Sequence, residues 1–153
     1  MTTLPIGSIS HGTLRAQDLA QAIHDALMST GDRKDSDLIM RELLEVANGD
    51  DESESACEIV SDGIDALQDY CPAFCYAGMH QGDGSDLGIW PDFDALESAV
   101  AEGDVVKIDD VSDLDSLAIS ELNGANMAMV VNDHGNVTLY ELHVAARSVW
   151  ACV

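Results

Sequence analysis

Hydrophobic positions recur at helical spacing through the first half of the chain and at shorter, strand-like spacing through the second. From Leu14 to about Ser29, Ala16, Leu19, Ala20, Ile23 and Leu27 mark one helical face, with Asp18, Gln21 and Asp25 opposite. Thr13 is placed to cap this helix and Gly31 to close it. A second helix is expected over Asp37–Ala47, with Ser36 as cap, Leu38, Ile39, Leu43 and Val46 as apolar contacts, and Gly49 as stop. After the acidic connection Asp50–Ser55, a third runs from about Ser55 to Tyr70 and ends before Pro72.

Beyond Pro72 the period shortens. Phe74–Met79 and Leu87–Trp90 read as strands joined by the Gly-rich loop His80–Asp86. Asp92 caps a short helix over Phe93–Ala101 that ends at Gly103, and Val105–Ile108 reads as a strand. Asp113–Leu122 fits either a short helix or an ordered loop. Asn126–Asn132 and Val137–Val144 flank Asp133-His134-Gly135, which suits a type I turn followed by Gly135 in the left-handed region. Arg147–Val153 adds a last strand. No repeat or Pro/Gly/Ser-rich linker interrupts the chain. The expectation is one α+β domain over 1–153, its N-terminal helices packed with a C-terminal, mostly antiparallel sheet.

Composition changes the picture through charge. The 153 residues include 29 Asp plus Glu against 6 Lys plus Arg, a net charge of −23, while 46% are hydrophobic. That apolar content argues for a folded chain. The shortage of bases excludes a basic patch for phosphate backbones or anionic lipid. The N-terminal MTTLPIGSISHGT lacks the charged start and apolar run of a secretory signal, and no segment approaches a membrane span. A cytoplasmic protein with a basic partner is expected. Cys57, Cys71, Cys75 and Cys152 then read as reduced cysteines packed as small hydrophobes, since Cys71–Cys75 has no second pair at zinc spacing.

The acids are spread along the chain: 15 with 4 bases in residues 1–70, and 14 with 2 bases in 71–153. Between Arg41 and Lys107 stand 17 acids and no base, so most carboxylates there lack an intramolecular partner nearby in sequence. Like charge at this density works against a compact state. On the third helix, Glu58, Asp62, Asp65 and Asp69 fall within roughly 60° of one another at 100° per residue, and climb in steps of about 4.5 to 6 Å. Such a row can present one edge of a polyanion. Asp50, Asp51 and Glu52 (with Glu54) form a second candidate patch. Further acids gather at Asp109, Asp110, Asp113 and Asp115, and at Asp92, Asp94 and Glu97.

Two other readings compete. With 20 Asp against 9 Glu, two lysines and 18 Ala, the composition also matches a protein adapted to high salt, where dense carboxylates keep the surface hydrated. The loop His80–Asp86, with His80, Asp83 and Asp86, carries residue types that bind divalent metals, although its spacing matches neither an EF-hand nor a His-Glu-x-x-His helix. No Gly-x-Ser-x-Gly element, phosphate-cradling loop or activated nucleophile is present, so no enzyme activity, catalytic residue or cofactor is indicated.

Three stretches taken together carry a resemblance: Ile9-Ser-His-Gly-Thr-Leu-Arg-Ala-Gln-Asp-Leu19, Ala77-Gly-Met-His-Gln-Gly-Asp-Gly-Ser-Asp-Leu-Gly-Ile-Trp90, and Val131-Asn-Asp-His-Gly-Asn-Val-Thr-Leu-Tyr140 with the closing Trp150. They resemble small acidic proteins of phages and integrating mobile elements, a group without a defined activity. The resemblance implies a mobile-element setting and transfers no catalytic residue. By analogy with anti-defence proteins of such elements, the expected function is a nucleic-acid mimic of the anti-CRISPR or anti-restriction type. Its expected partner is a basic nucleic-acid-binding protein, a CRISPR effector or restriction complex of the host cytoplasm. Neither nucleic acid itself nor a membrane is an expected partner, and a homodimer stays open. Partner binding is expected at Glu58, Asp62, Asp65 and Asp69, then at Asp50, Asp51 and Glu52.

Overall fold

The computed structural model describes residues 3–31, 37–49, 53–115, 125–142 and 147–152, and the chain is an α+β protein. It divides into two compact units, Met1–Trp90 and Pro91–Val153. The division falls between Trp90 and Pro91, where no linker composition marks it. Among the described residues no helix is long and apolar enough to cross a membrane.

The first unit opens with a strand that the sequence pattern hides. β1 (Gly7–His11) reads Gly-Ser-Ile-Ser-His, with one large apolar residue and too little alternation to announce itself. Helix α1 (Ala16–Ser29) follows, burying Ala16, Leu19, Ala20, Ile23 and Leu27 as its periodicity requires. Thr13 is not its N-cap. The Thr13 hydroxyl accepts a hydrogen bond from the Arg15 backbone N–H at 3.2 Å and donates to the Asp18 carboxylate at 2.7 Å, and Arg15 takes the cap position. A threonine bonded to the backbone two residues ahead forms its own small turn, which moves the helix start downstream. Gly31, at φ +72°, closes the helix as expected.

Helix α2 (Asp37–Asn48) buries Leu43 and Val46, whereas Leu38 is 58% exposed. Its expected cap, Ser36, lies outside the described residues. Helix α3 (Glu54–Gln68) starts a residue earlier than its pattern suggested, because Ser53 caps it by accepting from the Ala56 N–H at 3.3 Å. It stops before Pro72 can act: the N–H groups of Tyr70 and Cys71 turn back to Leu67 and Gln68 three residues earlier, a tightening that ends the α-helix at Gln68. The three helices pack on one another, with α1 also against β1. Gly63 is the contact point of α3: an added Cβ would stand 2.9 Å from Leu43 Cδ2 and 3.0 Å from Ile23 Cγ2.

The sheet of this unit has the order β1-β3-β2, with β2 (Cys75–His80) and β3 (Asp83–Pro91). β1 pairs antiparallel with β3, with a bulge between Ser8 and Ser10. The segment His80–Asp86 is therefore not a loop. β2 runs to His80 and β3 starts at Asp83, leaving only Gln81 and Gly82 between them. Leu87 and Ile89 are fully buried on one side of β3. On the other, the Trp90 indole lies over Gly88 and donates to the Gly78 carbonyl at 3.0 Å.

In the second unit, α4 (Phe93–Glu102) is capped by Asp92, whose Oδ1 accepts from the Ala95 N–H at 2.9 Å, and ends on Gly103 at φ +87°. Asp104 N–H returns to the Ala99 carbonyl at 2.9 Å, completing the C-terminal turn. A mixed sheet follows in the order β4-β5-β6-β7: β4 (Val105–Ile108), β5 (Met127–Val131), β6 (Val137–Glu141) and β7 (Arg147–Cys152). β5-β6 and β6-β7 are antiparallel, as the hairpin signal indicated, and Gly135 sits at φ +81° in the turn. β4 pairs parallel to β5. Val111–Asp115 forms a 3-10 helix, while residues 116–124, in the stretch left ambiguous by the sequence, lie outside the described residues. Ile108, Ala128 and Val130 form one hydrophobic cluster here, joined by Val106, Leu114, Tyr140 and Leu142, and Leu96, Val105, Leu139 and Trp150 are buried as well.

The two glycines without room for a side chain differ from one that has it. A Cβ on Gly88 would collide with the Gly7 backbone carbonyl and the Trp90 ring, whereas Gly84 faces open space. Gly88→Ala should lose about 1–3 kcal/mol of unfolding free energy by overpacking. Gly84→Ala should be neutral or gain a few tenths. Urea unfolding of both variants checks the pair, and equal stability of the two would refute the packing account.

Candidate functional site

The row on α3 is built by the helix's own packing. Ala56, Val60, Gly63 and Leu67 are its buried positions. Glu58, Asp62, Asp65 and Asp69 each lie two residues beyond one of these, a rotation of about 200°, so they point away from the helical core. All four are exposed, and among the described residues none meets a cationic group. The residues of the row thus stand together on one face, spanning about 16 Å of helix axis.

Their placement opposes local stability. No basic residue occupies the last turn of α3, where Asp65 lies, and Asp69 is the C-cap itself. Carboxylates near a helix C-terminus face the negative end of the dipole, and like charges at i,i+4 add repulsion of about 0.2–0.5 kcal/mol per pair. Asp50, Asp51 and Glu52, the second expected group, lie outside the described residues.

Other carboxylates are already engaged. Asp92 caps α4. Asp110 Oδ1 accepts from the Ser112 hydroxyl at 2.7 Å and the Ser112 N–H at 2.8 Å, and these bonds hold its carboxyl below the usual range. Asp109 and Asp110, with Asp133, His134, Asn132, Val111 and Val130, line an open cavity of about 240 Å³. It lies at the carboxyl ends of β4 and β5, where a parallel pair brings two loops to one edge of the sheet. The sequence places Asn132 at the end of a strand and Asp133 and His134 in the turn that follows it. The two strands were legible, but their parallel pairing, which carries this turn to Asp109 and Asp110, was not.

At the β2–β3 connection, His80 Nδ1 accepts from the Gly82 N–H at 3.1 Å, and the His80 ring stands edge-on to Trp90 at 4.7 Å between centroids. Asp83 Oδ1 accepts from the Ser85 N–H and hydroxyl at 3.0 and 2.8 Å. These bonds, with a smaller contribution from His11 and His80, lower its pKa. Asp86 faces His11 across the β1–β3 pair at 3.4 Å, and its other oxygen is buried with no hydrogen-bond partner among the described residues. Among the described residues no group of three His, Cys, Asp or Glu side chains is arranged to hold a metal ion. Each of the three loop residues serves a local contact instead.

Comparison with known proteins adds no relative: no family model, curated protein or solved structure matches the chain.

The Ser112 bonds make a titration prediction. A carboxylate whose pKa is lowered by folding contributes stability above its unfolded pKa, near 4, and loses it as pH falls through the folded value. Ser112→Ala should move the Asp110 titration up toward the ordinary carboxylate range. Any stability difference between variant and parent should be present at neutral pH and fade in acid. Carboxyl-carbon NMR titration reads this directly, and an unmoved Asp110 curve would contradict the assignment.

Proposed function

We propose that the chain is a non-enzymatic inhibitor that occupies the nucleic-acid-binding surface of a basic host defence protein, a CRISPR effector or restriction complex, in the host cytoplasm. Its carboxylates stand in for phosphates. The observation that carries this reading is the exposed row Glu58, Asp62, Asp65 and Asp69, without cationic neighbours among the described residues and set where α3 would be more stable without it. Such a row forms charge-assisted hydrogen bonds with Arg and Lys lining a nucleic-acid channel. The net charge of −23 steers association and makes it fast at low salt. Rigid helical spacing presents the groups together, which lowers the ordering cost of binding. The resemblance to acidic proteins of phages and mobile elements fits this setting.

A second reading has one observation in its favour. Exposed carboxylates stand on every helix and in both units: Asp18 and Asp25 on α1, Glu45 on α2, the α3 row, and Asp94, Glu97 and Glu102 on α4. A surface adapted to high salt distributes its acids in this way, without a binding face.

Capture of a basic protein from host lysate on the immobilised chain, followed by displacement with double-stranded DNA, tests the first reading. Reversing the row with Glu58→Lys, Asp62→Lys, Asp65→Lys and Asp69→Lys should weaken capture about a hundredfold or more. Reversing the same number of exposed acids at Asp94, Glu97, Glu102 and Asp104 should leave most of it. Equal loss from both sets would reduce the effect to net charge and remove the row as the site. Salt separates the readings further. The mimic folds in dilute buffer and releases its partner as salt rises. The salt-adapted domain unfolds in dilute buffer and needs roughly molar salt to fold. Circular dichroism across a KCl series reports which behaviour holds.

A further inference from the structure

β2 is an edge strand, flanked by β3 on one side only. From Tyr70 to Gly82 the chain carries no Asp, Glu, Lys or Arg, with Asp69 and Asp83 at either end. An uncharged strand at a sheet edge is a template for pairing with a copy of itself, the more so in a chain whose other surfaces are kept apart by charge. One side chain covers it. The carboxamide of Gln68, the last residue of α3, donates from Nε2 to the Cys75 carbonyl at 3.1 Å and accepts at Oε1 from the Ala77 N–H at 3.0 Å. In a parallel sheet, one residue of the incoming strand makes this same pair of bonds, donating to the carbonyl of residue i and accepting from the N–H of residue i+2. A carboxamide carries a donor and an acceptor side by side and so makes both, which also sets the orientation of the Gln68 side chain.

We infer that Gln68 is an edge plug: its side chain takes the place of a neighbouring strand's peptide and keeps β2 from pairing with β2 of a second copy of the chain. The plug works through position. Gln68 is held at the end of α3, and α3 packs against β2, so the carboxamide is delivered to the edge by the helix. Its occupancy of Cys75 O and Ala77 N–H removes two successive bonding points from the open edge. Tyr76 and Gly78 alternate with them along the strand, and the next outward residue after Ala77 is Met79, whose carbonyl accepts from the Tyr76 hydroxyl at 3.5 Å.

The test uses the full chain with Gln68→Leu, which is one atom shorter, uncharged, and removes both bonds. Hydrogen exchange at the Ala77 amide should be slow in the parent and at least about tenfold faster in the dilute variant. Sedimentation in 1 M NaCl, where the Debye length falls to about 3 Å and charge repulsion no longer hides pairing, should show concentration-dependent association of the variant alone. Adding Met79→Lys, a charge on the same edge, should return the variant to monomer. The inference is overturned by an unprotected Ala77 amide in the parent, or by a variant that stays monomeric at all concentrations. Association that the added lysine does not reverse also overturns it. So does loss of the helical circular dichroism signal in Gln68→Leu, which would make the bonds a requirement of folding rather than a guard.

Discussion

The close approach at Gly63 sets the geometry from which the rest of the first unit follows. With no side chain there, α3 comes near enough for Leu43 and Ile23 to pack directly on its backbone. That contact, together with burial of Ala56, Val60 and Leu67, fixes the rotation of α3 about its own axis. Once the rotation is fixed, every residue two positions further along points outward. The outward direction of the acidic row is therefore a consequence of how the opposite face packs, while the grouping of its four carboxylates follows from helical spacing alone.

The chain holds together against its charge because the two forces differ in size and place. Ile23, Leu43, Leu67, Leu87 and Ile89 are fully buried, and each such side chain contributes roughly 1.5–3 kcal/mol relative to exposure. Repulsion between exposed carboxylates amounts to tenths of a kcal/mol per neighbouring pair in water and is screened further by salt. Acids placed on outward faces cost little individually. Their sum is spread over many outward positions in both units of a chain whose net charge is −23.

The acids also divide into two kinds that composition does not separate. Asp92, Asp110, Asp83 and Asp18 accept hydrogen bonds from nearby backbone or hydroxyl groups and shape caps and turns. Their oxygens are partly committed within the chain. Among the described residues the row on α3 makes no such bonds, and its last two members, Asp65 and Asp69, stand at the unfavourable end of the helix. Charge that serves no local structure is the charge most open to an external partner, and the exposed Asp94, Glu97 and Glu102 on α4 share that property with the row.

Residue order alone determined the α+β class, most of the helices and strands, and the turn at Gly135, because these depend on periodicity and on glycines and caps acting over a few residues. Glu58, Asp62, Asp65 and Asp69 could be grouped for the same reason: helical spacing is local. β1 is hidden in the sequence because its apolar pattern is too thin, and Thr13 does not cap α1 because its hydroxyl has a nearer backbone partner than the helix end. Tertiary structure decided what depends on distant segments meeting. The β1-β3-β2 sheet made strand of residues that read as loop, and parallel pairing of β4 with β5 gathered Asp109, Asp110, Asp133 and His134 around one cavity. Likewise it carried the Gln68 amide to the edge of β2. Such contacts are set by chain reversal and register, and no pattern within a single element encodes them.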